Sequence, residues 1–181
     1  MATSNMKTKP IFWEDEVGNS VFPPTSYLTF GSWIYMVPQY KPKNVLMLGV
    51  AGGTVAGLIR LLYGDIPITG VDIDPMKINR YNINFIQASA EDFVKNCEKF
   101  DTVIVDLFEK GTDYNCNFIT TKEVADNLIR IANYIIIHTL KNPDLSAYSH
   151  LTKIGVNKPS GGSNLIHYFE VKKIPNLHQH R

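Results

Sequence analysis

A run of small residues, Gly49-Val50-Ala51-Gly52-Gly53, follows the apolar segment Asn44 to Leu48, and Asp72 closes the next apolar segment, Ile68 to Val71. Small side chains at Gly49, Ala51 and Gly53 let a backbone approach a ligand closely. A carboxylate at the end of the neighbouring strand can accept two hydrogen bonds from a ribose diol. The interval between loop and acid suits such a pair, so the chemistry indicated is that of a nucleoside-containing ligand. Asp106 closes a further apolar run, Asp101 to Asp106, and Glu109 lies just beyond it. A carboxylate at either place can take a proton from a nucleophile or hold a cationic substrate. For Glu109 the plainer alternative is a solvated loop residue. Asp106 ends a buried strand, where a carboxylate needs a reason to be.

Other residues carry weaker signals. His138 ends the apolar run Asn133 to His138, on the side where the loop and Asp72 fall; a packed or hydrogen-bonded histidine is the expectation there. His167 alternates within the last apolar run and reads as structural. His178 and His180 flank Gln179 in the tail, without carboxylate or cysteine partners for a metal, and no metal site is expected. Cys97 and Cys116 lack CxxC spacing and read as reduced thiols. Trp13, Trp33, Tyr35 and Tyr40 give an aromatic N-terminal segment with few basic residues among them. Core packing or a subunit interface suits it better than base stacking.

The elements that must position these residues follow from periodicity. Continuous apolar runs at Asn44–Leu48, Ile68–Val71, Ile83–Ile86, Asp101–Asp106 and Asn133–His138 read as strands buried on both faces. Helices are expected from Thr54 to Gly64 (with Val55, Leu58, Ile59 and Leu62 on one face), from Pro75 to about Tyr81, from Ala90 to Cys97, and from Thr120 or Thr121 through Ile131. Pro143 to Lys153 reads as weakly helical. Gly161-Gly162 turns the chain into a final strand, Leu165 to Val171, which no helix follows and which therefore inserts antiparallel. Ahead of this pattern, Ile11-Phe12-Trp13 and Val21-Phe22 suggest a hairpin, and Tyr27, Phe30, Ile34 and Val37 a helix. The resulting fold is an α/β, doubly wound, mostly parallel Rossmann-like sheet. Its domains are a cap over residues 1–43, a nucleoside-binding domain over 44–174 and a polar tail over 175–181.

The composition fits one domain. The chain has 181 residues, 44% of them apolar, with 18 Lys and Arg against 17 Asp and Glu for a net charge of +1. Such a chain can bury a core, and it lacks the broad basic field of a nucleic-acid binder. Val17 to Tyr40 carries no charge but is broken by prolines, and Val45 to Ile59 is short of the roughly 20 residues a membrane span needs. The first ten residues have no apolar h-region of a signal peptide. A soluble, cytoplasmic protein without membrane or nucleic-acid partners is expected.

The dinucleotide pattern GxGxxG would place glycines at 49, 51 and 54, where this chain has Gly49, Ala51 and Thr54. The order of elements and the terminal hairpin instead resemble the class I S-adenosylmethionine-dependent methyltransferase fold, and within it the spermidine synthase family. The segments that match are VLMLGVAGGT (45–54), GVDIDP (70–75), FIQASAEDFV (85–94), FDTVIVDLFEKG (100–111), FITTKEVADNL (118–128) and PSGGSN (159–164). The resemblance implies a seven-stranded sheet with an antiparallel last strand, and S-adenosylmethionine or its decarboxylated form as cofactor. It implies that Gly49, Ala51, Gly52 and Gly53 run along the cofactor, that Asp72 holds the ribose hydroxyls and that Ile73 packs on adenine. Ser89 and Ala90 fall beside the adenine edge, where the family usually has Asp-Ala. Asp106 faces the reacting centre, and Glu109 stands where aminopropyltransferases deprotonate the attacking amine.

Two departures bear on the reaction. Gly52 replaces an aspartate that binds the transferred chain's amino end, and Phe30-Gly31-Ser32 replaces the family's Tyr-His-Glu substrate motif. The Asn-Pro-Pro-Tyr type motif of amino-methylating enzymes is replaced by Asp106-Leu107-Phe108-Glu109. Methyl transfer to a small acceptor, possible with one nearby carboxylate, is therefore ranked first. Aminopropyl transfer to a diamine is second, and a non-catalytic nucleoside-binding module third. The aromatic N-terminal segment is expected to cap the cleft or to form a homodimer face.

Overall fold

A computed structural model describes residues 13–14, 20–21, 33–76, 79–108, 117–140, 143–157 and 164–171. Strands β1 (Trp13–Glu14) and β2 (Ser20–Val21) pair antiparallel as a short hairpin. The main sheet is built from β3 (Val45–Leu48), β4 (Ile68–Asp72), β5 (Asn84–Gln87), β6 (Phe100–Val105), β7 (Ala132–Leu140), β8 (Thr152–Asn157) and β9 (Asn164–Glu170). Its seven strands lie in the order β5-β4-β3-β6-β7-β9-β8. Neighbours from β5 across to β7 are parallel, while β9 runs antiparallel to both β7 and β8. Helices α1 (Thr54–Tyr63), α2 (Ala90–Asn96) and α3 (Lys122–Ile131) connect the parallel strands. This is the doubly wound sheet expected from the alternation of apolar runs.

Strand alternation divides the core into two layers. Leu46, Leu48, Val103, Val105, Ile135 and Ile137 face α2 and α3, packing with Val94, Val124, Leu128 and Ile131. Val45, Met47, Ile104 and Ile136 face the other way, against Val55, Leu58 and Ile59 of α1 and against Met36 and Val37. All four residues of β3 are buried, as a strand covered on both faces requires. Of the apolar residues expected on the buried face of α1, Leu62 is instead 49% exposed.

Local chemistry sets the helix ends. Thr121 caps α3 by accepting from the Val124 amide at 3.3 Å, and Ser89 caps α2 by accepting from the Asp92 amide at 3.4 Å. Helix α1 starts from Gly53 and stops at Gly64, both at φ 78°.

Three expectations need correcting. Pro75 opens no helix among the described residues: Asn79 folds its side-chain amide onto both backbone groups of Ile83, and Asn82 takes a left-handed φ of 49°. Side-chain bonds of this kind compete with helix formation. The weak helix of Pro143 to Lys153 is one 3₁₀ turn, Ser146–Tyr148, after which the chain enters β8. The N-terminal helix reduces, in its described part, to a 3₁₀ turn at Trp33–Met36. Its start at Tyr27, the Phe30-Gly31-Ser32 segment, Glu109, Cys116, the Gly161-Gly162 turn and the tail with His178 and His180 lie outside the described residues.

Candidate functional site

Parallel strands β4, β3, β6 and β7 end side by side, and the residues singled out in the sequence stand at those ends. Backbone bonds tie the ends together, from the Gly49 amide to the Val71 carbonyl at 2.9 Å and from the Asp106 amide to the Leu48 carbonyl at 2.8 Å. The strand order reverses between β3 and β6, because connections run outward in both directions from there. Such a switch point opens a crevice beyond the strand ends, where ligands bind in this class of fold.

Asp72 organises the loop after β3. Its Oδ2 accepts from the amides of Val50 at 2.7 Å and Ala51 at 3.1 Å, and its Oδ1 accepts from the Asp74 amide at 3.1 Å. Left-handed backbone at Gly49 (φ 84°), Ala51 (φ 44°) and Gly53 (φ 78°) makes the loop possible. Two of the glycines are needed by the fold itself. A Cβ on Gly49 would lie 2.1 Å from the Asp106 carbonyl oxygen, and one on Gly53 would press on Tyr81 and Ile83 at 3.1 and 3.2 Å. Ala51 is exposed and Gly52 half-buried, so these two present the loop's outer surface. Ile73, next to Asp72, is 71% exposed. Ser89 is half-buried and spends one lone pair on its capping bond, whereas Ala90 is packed into the core beside Val94.

Asp106 is paired. Its Oδ1 lies 2.7 Å from Nδ1 of His138, with the histidine side chain 8% exposed and the carboxylate 23%. A Nδ1–H donated to the carboxylate fixes the ring's tautomer. Phe108 sets its ring edge-on to His138, centroids 5.1 Å apart. At the opposite end of the same two strands, Asn133 Nδ2 donates to Asp101 Oδ1 at 3.1 Å. The pairing of Asp106 with His138 was missed in the sequence, although a signal existed. The runs Asp101–Asp106 and Asn133–His138 align residue for residue across β6 and β7, polar at both ends.

The arrangement thus brings Gly49, Ala51, Gly52, Gly53, Asp72, Ile73 and Asp106 to one edge of the sheet, and adds His138 and Phe108. No family model matches the chain, and no curated protein matches it in sequence. Among solved structures it is similar to human Methyltransferase-like protein 13 in complex with SAH, with a TM-score of 0.62 at 13% identity over 83% of this chain and 76% of that one. The chain has the fold of the class I S-adenosylmethionine-dependent methyltransferases. TrmN from Thermus thermophilus matches with a TM-score of 0.52 at 13% identity, covering 71% of this chain and 43% of that one. A probable spermidine synthase from Corynebacterium glutamicum matches with a TM-score of 0.56 at 15% identity, covering 81% of this chain and 65% of that one. Among the described residues no helix is long and apolar enough to cross a membrane.

Proposed function

We propose that the chain binds S-adenosylmethionine across the loop after β3 and transfers its methyl group to a small-molecule acceptor. The observation that carries this reading is the meeting of Gly49 with Asp106, close enough that a Cβ would lie 2.1 Å from the Asp106 carbonyl. It sets the candidate acid directly beside the candidate cofactor loop. The residues suit the ligand. The Asp72 carboxylate would hold ribose hydroxyls, and Ile73 offers an apolar surface, 71% exposed, to a purine. Ala51 and Gly52 leave backbone room for the methionine part, and Ser89 with Ala90 would border the adenine edge.

When bound, S-adenosylmethionine supplies a methyl group already activated by its sulfonium. The chain's own contribution is positioning and a proton acceptor. Asp106, held by the His138 Nδ1–H, would accept the proton of an acceptor bound beside the loop. By its place in the sequence, three residues after Asp106, Glu109 would offer a second carboxylate for that proton or for a cationic acceptor.

The structural likeness to a probable spermidine synthase keeps aminopropyl transfer as the second reading. Incubation with S-adenosylmethionine, and separately with its decarboxylated form, plus amines and small acceptors, decides between them. S-adenosylhomocysteine from the intact cofactor is the expected product. Methylthioadenosine and a lengthened polyamine from the decarboxylated one would reverse the ranking. Tight binding of either with no product would leave a nucleoside-binding module.

A further inference from the structure

The sheet carries a second candidate site on its other side. Between β7 and β8, residues 143–151 border a half-open cavity of about 300 Å³ against β8 and β9, lined by Leu145, Tyr148, Leu151, Lys153, His167 and Phe169 among others. That volume is at the small end of ligand pockets, enough for one flat ring system. It is separate from the crevice described above. His167 pairs in register with Ile137 and bonds to Thr139, on the α3 side of β7, whereas His138 and Asp106 face the α1 side.

The wall of the cavity is aromatic and flat. Tyr148 and Phe169 stack with centroids 5.5 Å apart and an interplanar angle of 27°, and the His167 ring lies within 11° of parallel to Phe169. Most polar groups here are committed. The Tyr148 hydroxyl donates to the Ile119 carbonyl at 2.9 Å, and Asp144 accepts from the Ser146 amide at 2.9 Å. Thr139 Oγ1 lies 3.0 Å from His167 Nε2 and can donate onward to the Leu165 carbonyl at 3.5 Å. The pairing that satisfies both Thr139 contacts has its hydroxyl donate to Leu165 and accept from His167 Nε2–H, which assigns a bare lone pair to Nδ1.

That Nδ1 is the one buried side-chain nitrogen or oxygen among the described residues with no hydrogen-bond partner. His167 is only 3% exposed, and its ring lines the cavity. Burial, with the nearby charges of Lys153 and His138, pushes its pKa down to about 4 and keeps the ring neutral, hence an acceptor. Buried polar atoms in native proteins find partners, so an unmatched acceptor in a cavity wall calls for a donor from outside. Lys153 adds a cation at the same cavity, with no carboxylate within ion-pair distance among the described residues.

We infer that this cavity is a ligand site for a small aromatic carboxylate bearing a ring N–H or phenolic O–H. The ring would lie against Leu145 and Leu151, which cover the stacked Tyr148 and Phe169, the donor would meet His167 Nδ1, and the carboxylate would meet Lys153. This assignment does not depend on the reaction proposed above.

Calorimetry on the full chain tests it, with indole-3-acetate, 2-aminobenzoate and 4-hydroxybenzoate as probes. At least one should bind, and the analogue with its donor methylated should bind about tenfold more weakly or worse. His167→Phe, which keeps a ring but removes the acceptor, should lower affinity about as much, and Lys153→Gln should weaken it on an exposed side chain that the fold does not need. Binding should persist in Asp72→Asn and in the presence of S-adenosylhomocysteine. No binding by any probe overturns the inference, as does equal binding of the methylated analogue. Competition by S-adenosylhomocysteine overturns it too, because the probe would then occupy the crevice beside Asp72.

Discussion

Three backbone amides already point at Asp72, two on Oδ2 and one on Oδ1, so a ribose diol meets a carboxylate with about one lone-pair position left of roughly four. The carboxylate therefore has both to shape the loop and to hold the ligand, and substitutions can separate the two. In Asp72→Asn the amide oxygen can still accept from Val50 and Ala51, but the charge and the bond from the Asp74 amide are gone. Affinity for S-adenosylhomocysteine should fall roughly 10- to 100-fold, the loss of one charge-assisted bond of about 1.5–3 kcal/mol, with a smaller fall in melting temperature than Asp72→Ala shows. Asp72→Ala should lose both. Calorimetry beside a thermal melt reads the difference, and an unchanged affinity in both variants would place the ligand elsewhere. A second prediction at this scale concerns His167. Its pKa in the folded protein, pushed down to about 4 by burial, lies below the ordinary histidine value of 6.5. Between those values the unfolded chain binds more protons, so stability rises with pH across that window. Stability from this group is full above about pH 6.5 and is lost as the pH falls through 4. The melting temperature of His167→Phe should thus drop less than that of the parent between pH 7 and pH 4.

At the scale of elements, the loop after β3 depends on Gly49 more than on any ligand. Alanine there meets both a left-handed φ of 84° and the Asp106 carbonyl at 2.1 Å. Gly49→Ala should cost roughly 2–5 kcal/mol, combining backbone strain with overpacking against a neighbour that is itself backbone. Gly64 makes the control, since its φ is 78° but nothing stands within 4 Å of its Cβ position. Gly64, at φ 78° and ψ −148°, sits in a region open almost only to glycine, so Gly64→Ala should cost the backbone part alone, about 1–3 kcal/mol. Urea denaturation of the two variants checks the contrast. The sequence was most legible where one physical rule dominates, as in the fully apolar Val45–Leu48 or the capped Thr121. It was least legible where side chains bond to backbone. Asn79 and Asn82 turn the stretch after Pro75 away from the helix its proline suggests. Strand β8 was hidden for another reason: its alternation is short, and a register shift between Lys153 and Gly155 interrupts it. For the candidate site the individual residues were readable and their pairings were not. Asp106 and His138 are far apart in sequence, and only the register of β6 against β7 brings them together.

At the scale of the whole molecule, the question is what closes the α1 side of the sheet. Helix α1 does not cover it alone. The turn Trp33–Met36 and the residues after it complete the layer, with Met36 0% and Val37 5% exposed among Val45, Met47, Leu58 and Ile59. Polar bonds fix the segment in place: Tyr40 shares a hydrogen bond with Thr102 at 2.5 Å, Tyr63 donates to the Pro38 carbonyl at 2.5 Å, and Tyr168 donates to the Tyr35 carbonyl. These bonds reach α1, β6 and β9, so the segment spans the sheet from its first crossover to its antiparallel strand. Removing residues 1–40 would uncover that layer. The lost burial of Met36 and Val37 alone is worth about 3–6 kcal/mol, against a total stability of about 5–15 kcal/mol for a typical domain. The truncated chain should therefore be insoluble or molten, and unable to bind S-adenosylhomocysteine. A milder variant distinguishes packing from any direct role in binding. Met36→Ala should lower stability by about 2–5 kcal/mol while leaving the ligand's affinity for the folded fraction unchanged, because the turn that carries Met36 packs mainly on α1 and β7. A denaturation midpoint measured with and without S-adenosylhomocysteine tests this. An equal ligand-induced shift in parent and variant is expected, and a soluble, cooperatively folded truncation would show that α1 and the sheet close the core without residues 1–40.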